Sequence, residues 1–517
     1  MRKRLSNNIE DKRHKEKELI NPMNMRHFGM IFRLQLICAG LLSVCNITGF
    51  TQTGLTLEQA LTTAEINSPS MKKTRLSLIR NQENLNAQNA ALKSQFALTL
   101  NPISYTQSRE FNNLISDYNT YNATESFGTF SVMQPIKLTD AKISLSNKFG
   151  YTDSYSEYSG TTTKGFNNNL SISLDQPLFT YNRTKLTLKE LELALENSQL
   201  NYAIQLLALE KQVAQAFYYV YQQQQSLDIA SQAYKNMQQS YDVSKNKVDA
   251  GISAREEMFQ AELNLATTKS DYENALVSLE NAEDDFKLLV GISLFDDIIV
   301  IPNIAVDTVR VDIAFAIDQG LANRMELRQR EIDIEISQFD LIQTKALNEF
   351  KGNLGLTFGI FGDNENLENL YENPTDNESV ALSFSIPLWD WGERKARIKA
   401  TEASIETANI SHEEEQNNIV LGIRKIYRNL INLQNQIEIA RQSVTNAQLT
   451  YDLNLEKYKN GDLTGMDLNI FQNQLSEKQL TYTNSLISYK LELLNLKIQT
   501  LYDFEKKQPV SPVKTLD

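Results

Sequence analysis

Two long stretches of the chain place apolar residues three and four positions apart. The first, from Asn182 to Lys247, contains no proline or glycine, and its apolar positions include Leu200, Ile204, Leu207, Ala214, Phe217 and Tyr221. This spacing predicts an amphipathic helix with coiled-coil character. At 1.5 Å per residue, such a rod would extend about 100 Å. The stretch from Gly392 to Tyr458 has a similar length and predicts a second rod.

Before each rod, apolar residues recur at every second position. Apolar residues alternate with small polar residues at Phe96, Leu98, Leu100, then Leu170, Ile172, Leu174, then Leu354, Leu356, Phe358, Ile360, and finally Val380, Leu382, Phe384, Ile386. Strict alternation predicts strands with one apolar face and one polar face. The apolar face would either cover a soluble core or turn toward lipid.

Aromatic residues stand where these strands meet the rods, at Phe179, Tyr181, Trp389 and Trp391. Aromatic residues are enriched at bilayer interfaces, because Trp and Tyr combine an apolar ring with a polar group that can contact water. The aromatic residues at these junctions therefore favour the interpretation that the apolar face of the strands turns toward lipid. The polar stretches Ser116–Ser126 and Tyr151–Lys164 are expected to be exposed outer loops.

The chain is also duplicated. At an offset of 210 residues the matching pairs include Pro177/Pro387, Leu178/Leu388, Tyr241/Tyr451, Lys247/Lys457 and Gly251/Gly461. The segments before the strands match at an offset of 256, as in Leu98/Leu354 and Leu100/Leu356. Self-similarity of this kind indicates one structural unit used twice. The difference between the offsets, 256 − 210 = 46 residues, is an insertion in the first half.

The insertion contains the alternating segments Phe130–Gln134 and Lys142–Ser146, joined by a predicted turn at Pro135–Ala141. It predicts an extra strand hairpin at about residues 126–165. Two interpretations remain open: the hairpin adds two strands to the sheet, or it is an outer loop that never enters the membrane.

Glycine divides each rod from a second helix of roughly 35 to 40 residues. Gly251 and Gly461 are expected to supply the turns at the two tips. Further helices are predicted near Thr56–Lys93 and Asp312–Glu349. The predicted organisation is a signal segment (1–51), a first repeat (52–291), a linker (292–310), a second repeat (311–504) and a C-terminal tail (505–517).

The first 51 residues resemble a secretory signal, with Arg26 and Arg33 before the apolar run Leu34–Val44. We expect translation to start at Met23, Met25 or Met30 and cleavage to leave an N-terminus near Gln52. Lipidation at Cys45 is the alternative.

Composition excludes several function classes. Residues 52–517 carry 42 basic and 60 acidic residues, a net charge of −18, which is unfavourable for binding nucleic acid. Both cysteines, Cys38 and Cys45, lie in the signal segment, and His412 is the only histidine after it. There is no glycine-rich phosphate loop and no Cys/His metal spacing. The sequence therefore predicts a protein that is not an enzyme and has no cofactor or metal.

The duplicated order of strand, rod, glycine and returning helix resembles the TolC-type outer membrane efflux proteins (outer membrane factors). The motifs that carry the resemblance are Gln176-Pro177-Leu178-Phe179, Ile386-Pro387-Leu388-Trp389, Gly251 and Tyr458-x-x-Gly461-x-x-Thr464-x-x-Asp467-Leu468. The resemblance implies an α+β fold in which a homotrimer forms one outer-membrane β-barrel continuous with a periplasmic coiled-coil tunnel. It further implies an exit duct for efflux or type I secretion in a Gram-negative bacterium. A periplasmic adaptor and an inner-membrane pump of RND, ABC or MFS type would be its partners.

The resemblance also assigns roles at the tips. Asp467 matches an aspartate that rings the closed mouth, and Tyr458 and Glu257 match a tyrosine and an acidic residue that are linked to each other. Leu463 stands in place of an arginine, and Ile470 in place of a second acidic ring. The mouth is therefore expected to be held less tightly and to select cations less strongly.

Two alternatives stay open. Glu257 and Asp467 would otherwise be ordinary charges on a helix surface. The whole chain would otherwise be a coiled-coil scaffold or adhesin of the envelope that transports nothing.

Overall fold

The computed structural model describes residues 53–113, 116–304 and 309–511. The signal segment, its cleavage site and Cys45 lie outside the described residues. The described residues fall into two compact units: a small one that contains residues 53–55 and 295–299, and a large one that contains the others. The following description concerns the large unit, apart from strand β1 and most of β6.

The elements follow one another in the order that the duplication predicts. In the first half they are β1 (Thr53–Leu55), α1 (Leu57–Asn67), α2 (Pro69–Ala91), β2 (Gln95–Asn112), β3 (Asp117–Ile136), β4 (Ala141–Ser156), β5 (Thr161–Leu178), α3 (Arg183–Asp249) and α4 (Arg255–Val290). In the second half they are β6 (Ile298–Val300), α5 (Ile313–Asn323), α6 (Met325–Lys345), β7 (Lys351–Asn364), β8 (Thr375–Ser385), α7 (Glu393–Asn460), α8 (Gly465–Thr500), β9 (Tyr502–Asp503) and β10 (Gln508–Pro509).

The two rods are continuous helices, as predicted. Helix α3 has 67 residues and α7 has 68. Each packs against a 36-residue partner, α4 or α8, to form a helical hairpin. Phe217 of α3 and Phe286 of α4 are fully buried in the first hairpin, and Ile423 of α7 and Leu496 of α8 in the second. Among the described residues, none of the helices combines the length and the apolar character needed to cross a membrane.

The predicted helical regions near Thr56–Lys93 and Asp312–Glu349 are each divided into two helices. The break falls at Ser68 (ψ 130°) in the first half and at Arg324 (ψ 123°) in the second. Pro69 explains the first break, because proline disfavours a helical conformation in the residue before it and is itself well suited to the first helical position. The second break has the same geometry without a proline.

The strands form one antiparallel sheet in the order β2-β3-β4-β5-β7-β8. All four predicted strand regions belong to it, although Ile386 lies just beyond β8. The prediction of outer loops at Ser116–Ser126 and Tyr151–Lys164 is wrong. Most of these residues continue the strands, and only short turns separate β2 from β3 and β4 from β5. Threonine and tyrosine are common in both stretches and favour strands, so polarity alone was a poor signal for loops.

Residues that pair directly across antiparallel strands lie on the same face of the sheet. The register places one set of apolar residues on a single face: Phe96, Leu98, Leu100, Phe130, Val132, Ile143, Leu145, Leu170, Ile172, Leu174, Leu354, Leu356, Phe358, Ile360, Val380, Leu382 and Phe384. We call this the apolar face. The opposite, polar face carries residues such as Ser144, Ser173, Asp175, Thr357 and Ser383. The sheet therefore has one apolar and one polar face.

Candidate functional site

The two helical hairpins end in tips of the same construction. Gly251 (φ 74°) and Gly461 (φ 90°) both adopt the left-handed conformation that ends a helix. The backbone N–H of Ile252 donates to Lys247 O at 2.8 Å, and that of Asp462 donates to Lys457 O at 2.9 Å. These bonds join residues that correspond at the offset of 210. Both glycines thus lie in turns that end a long helix.

Glu257 and Asp467 occupy the same place in the two tips, since each is the third residue of the returning helix. Near a helix N-terminus a carboxylate is favoured by the helix dipole. Thr464 Oγ1 donates to Asp467 Oδ2 at 2.7 Å and accepts from Asp467 N at 3.2 Å. Ala254, which corresponds to Thr464, cannot form such a cap. Asp467 is exposed and Glu257 is half-buried, so both could meet another molecule.

Tyr458 is buried, with 2% of its surface exposed. Its hydroxyl donates to Ser240 O at 3.1 Å and accepts from Ser240 Oγ at 3.1 Å. Ser244 Oγ lies 3.4 Å from the same hydroxyl. Within the described part of one chain, Glu257 is not among its partners. Tyr458 thus connects α7 to α3, and its link to a Glu257 in a neighbouring copy stays a prediction.

One to two turns farther from the tip, Asn236 of α3 bridges both helices of the second hairpin. Its Nδ2 donates to Tyr451 Oη at 3.1 Å and to Gln472 Oε1 at 2.7 Å. Burial, with a smaller contribution from Asp452, raises the pKa of Tyr451 and keeps the phenol neutral. Asn236, Ser240, Ser244, Tyr451, Tyr458 and Gln472 together form what we call the polar layer. A cavity of about 130 Å³ lies beside it, lined partly by Met237, Val243 and Leu455.

Of the polar layer, sequence reasoning identified only Tyr458 as a site residue and missed Asn236, Ser240, Ser244, Tyr451 and Gln472. One signal was present, because the three residues of α3 recur every fourth position and so share one helix face. Their burial depends on a helix that is distant in sequence.

Leu463 and Ile470, the two tip residues that differ from the pattern of the resembled family, have different surroundings. Leu463 packs against the buried cluster of Tyr451, Tyr458, Leu468 and Leu475. Ile470 is 48% exposed, one turn after Asp467 on the outside of α8. This part of α8 therefore presents the Asp467 carboxylate together with the exposed apolar side chains of Met466 and Ile470.

Aromatic rings gather where the sheet meets the helices, as predicted. Phe179 lies 5.3 Å from Phe350 and 6.4 Å from Phe384 between ring centroids. Trp389 and Trp391 contact each other edge to face at 5.6 Å, and they are 75% and 90% exposed. Tyr181, two residues after Phe179, is half-buried. Large exposed rings at one level are typical of a membrane interface.

A second aromatic group lies toward the other end of the strands. The ring of Phe166 is 6.2 Å from that of Phe149 and 5.1 Å from that of Tyr151. All three residues lie on the apolar face. Aromatic residues therefore flank the aliphatic part of this face at both ends, as in membrane-spanning sheets.

The described residues contain no group of three or more His, Cys, Asp or Glu residues placed to hold a metal ion.

A family model described as "Outer membrane efflux protein" matches residues 142–291 and 316–497. These ranges cover more than half of the chain and include both tips. The chain belongs to this family. Outer membrane efflux proteins are channel proteins rather than a family of enzymes, and they reside in the outer membrane of Gram-negative bacteria with a large periplasmic part.

Individual relatives are distant. The chain is 21% identical over 294 residues to "Alkaline protease secretion protein AprF" of Pseudomonas aeruginosa, covering 53% of this chain and 59% of the relative. It is 24% identical over 181 residues to "Outer membrane protein TolC" of Escherichia coli, covering 35% of each. The chain thus matches less than two thirds of the length of either relative.

The fold of this outer membrane efflux protein is shared with a solved channel. The Campylobacter jejuni CmeC outer membrane channel superposes with a TM-score of 0.66 at 13% identity. The superposition covers 88% of this chain and 86% of CmeC.

Proposed function

We propose that three copies of this chain form the outer-membrane exit duct of an export system. The sheets would close into one barrel, and the helical hairpins would form a tunnel across the periplasm. Transported molecules would pass through passively, because no nucleotide-binding motif is present to supply energy.

The observation that carries this proposal is the continuity between the two-faced sheet and the long helical hairpins. An apolar face flanked by aromatic rings suits lipid, and the polar face suits a water-filled lumen. Both edges of the sheet, β2 and β8, are free in one chain. Free edges in lipid would leave backbone groups without partners, so several copies are required.

The tips are proposed as the gate. Three copies of Asp467 would surround the closed mouth and concentrate cations there. Tyr458 would hold α7 against α3 within each copy, and Glu257 would contribute to contacts between copies. With Leu463 and Ile470 in place of charged residues, fewer ionic contacts are available to hold the mouth shut.

A periplasmic adaptor and an inner-membrane pump are proposed as partners. AprF is named as a secretion protein for alkaline protease, and another relative, CusC of Escherichia coli, as part of a cation efflux system. The two names point to different cargoes. The proposal for this chain is therefore limited to export of small molecules or proteins.

Conductance across a planar lipid bilayer tests the proposal. The purified oligomer should give discrete channels, with larger currents when the tips are destabilised. A coiled-coil scaffold or adhesin, the other candidate, would give no channels in any tip variant. Native mass spectrometry in detergent should show trimers, and monomers alone would contradict the assembly.

A further inference from the structure

We propose that hairpin β3–β4 forms two membrane-spanning strands, so that the trimer closes an eighteen-stranded barrel with six strands from each copy. This inference rests on the proposed function and adds that the insertion is part of the barrel wall. Deleting residues 114–159, 46 in number, would remove both strands and connect β2 to β5. The surplus found in the sequence therefore has the length of one added strand hairpin.

The lower ends of the strands, at the helix junctions, are staggered. One row of paired residues crosses the sheet through Gln95, Met133, Ser144, Ser173, Thr357 and Ser379. Strand β2 begins in this row, whereas β8 continues six residues below it to Ser385. The intervening strands descend in order, with β3 and β4 three residues, β5 five residues and β7 six residues below the row.

This stagger gives a tilt. Six residues span about 20 Å along a strand, and five strand spacings span about 24 Å. A line through the lower ends is therefore inclined by about 40° to the row. Membrane barrels tilt their strands by roughly 35–45°, which would bring all six lower ends to one level. Strands β3 and β4 fit the same line as their neighbours.

The aliphatic band follows the same slope. On β2 it lies above the row, at Phe96, Leu98 and Leu100, and on β8 it lies below, at Val380, Leu382 and Phe384. The hairpin supplies the intermediate positions, with Phe130 and Val132 just above the row and Ile143 and Leu145 on either side of it. After a tilt of about 40° the band becomes level across all six strands. A hairpin above the membrane would have no need of this band.

The turn between β3 and β4 is fixed at the level of the helix junctions. Asn182, the N-cap of α3, donates through Nδ2 to Lys137 O at 2.8 Å and to Leu138 O at 3.0 Å. The backbone N–H of Thr184 donates to Asp140 Oδ1 at 3.1 Å. Gln176 Nε2 donates to Thr139 O at 2.9 Å. The hairpin thus starts where the other strands start.

The added strands also match the width of the helical part. Helices α2, α3, α6 and α7 pack in that order below the sheet. At 8–10 Å per helix this row covers roughly 32–40 Å. Six strands at about 4.8 Å, tilted by about 40°, cover roughly 37 Å of barrel wall, and four would cover only about 25 Å. Because six is even, β8 of one copy runs antiparallel to β2 of the next.

Spin-label accessibility tests this inference in the full-length trimer reconstituted in lipid. Starting from a chain with Cys38→Ala and Cys45→Ala, single cysteines are introduced by Leu145→Cys and Ser144→Cys on β4. We expect the label at 145 to collide mainly with oxygen dissolved in lipid, and the label at 144 mainly with an aqueous nickel chelate. Val132→Cys and Ser131→Cys repeat the measurement on β3.

Ile172→Cys and Ser173→Cys on β5 provide the reference pair. If this pair alternates between lipid and water while both hairpin pairs are accessible to the nickel chelate, the hairpin lies outside the membrane and this inference is wrong. If the reference pair is also accessible to water at both positions, the proposed membrane duct fails as well. Alternation in all three pairs supports six strands per copy.

Discussion

The hydroxyl of Tyr458 and the backbone carbonyl of Ser240 are joined by a 3.1 Å hydrogen bond that connects the second helical hairpin to the first. Tyr458→Phe would remove this buried bond together with the acceptor of Ser240 Oγ, which donates to the same hydroxyl at 3.1 Å, at a cost of about 1–3 kcal/mol. We expect Tyr458→Phe to raise the resting conductance of the proposed trimer in planar bilayers. Tyr219→Phe, which alters an exposed tyrosine of α3, is the control. Equal conductance in both variants would show that other contacts hold the mouth.

Asn236 provides a second connection between the hairpins. Asn236→Ala removes the donor to Tyr451 and Gln472 and should lower the free energy of unfolding by roughly 1–3 kcal/mol. Asn446 corresponds to Asn236 at the offset of 210 but is exposed on α7. Asn446→Ala should therefore change stability by less than about 0.5 kcal/mol. Thermal unfolding in detergent checks both, and similar losses would contradict the role of the polar layer.

Asp467 is expected to attract cations to the mouth. Asp467→Asn removes the charge but keeps an acceptor for Thr464 Oγ1, so the helix cap survives. We expect divalent cations to block the channel less effectively, while the resting conductance stays low. Glu477→Gln, farther along α8, should leave the block unchanged. If Asp467→Asn is blocked as strongly as the unaltered protein, the carboxylate does not line the mouth.

Gly422, inside α7, and Gly461, which caps its C-terminal end, should respond in opposite directions to alanine. Gly461 has a φ of 90°, so Gly461→Ala strains the second tip and is expected to destabilise it by roughly 1 kcal/mol or more. Gly422 is inside the helix, and an added Cβ would have only Gln499 Oε1 nearby, at 3.8 Å. Gly422→Ala should stabilise the protein by roughly 1 kcal/mol. Unfolding midpoints that shift in the same direction would contradict this assignment.

Glu196 of α3 and Arg328 of α6 form a two-pronged ion pair, with distances of 2.6 Å and 3.1 Å. Arg328 lowers the pKa of Glu196 below the ordinary 4.5. A carboxyl with a lowered pKa stabilises the fold above its unfolded-state pKa, and this contribution is lost as the pH falls through the folded-state value.

Glu196→Gln should therefore reduce the unfolding temperature at pH 7 but have a progressively smaller effect below pH 4.5. Glu192→Gln, whose partner Lys189 lies 3.6 Å away in an exposed pair, is the control. A deficit in Glu196→Gln that is the same at pH 7 and at pH 3 would exclude the ion pair as its cause.

Much of the fold could be predicted from the sequence because it depends on local periodicity. The rods follow from apolar residues at spacings of three and four, and the strands from strict alternation. Gly251 and Gly461 located both tips, since a left-handed backbone strongly favours glycine. The polar strand extensions were misread because the signal for a loop there was composition alone.

The site was harder to predict because it depends on contacts between distant segments. Tyr458 was identified, yet its partner Ser240 lies 218 residues away and has no motif of its own. Likewise, the positions of Phe130 and Ile143 on the sheet depend on the register of neighbouring strands. Sequence showed that a hairpin was inserted, but only the pairing showed where its residues lie.

The two free edges of the sheet have a consequence for biogenesis. Among the described residues of a single copy, no strand pairs with the outer edge of β2 or of β8, and the apolar face is largely exposed. In the proposed assembly, copies must therefore meet one another before these edges can be paired in the bilayer. Because the proposed trimer needs three copies to meet, its formation should depend steeply on the rate of synthesis, and a larger fraction of the protein should remain monomeric at low expression.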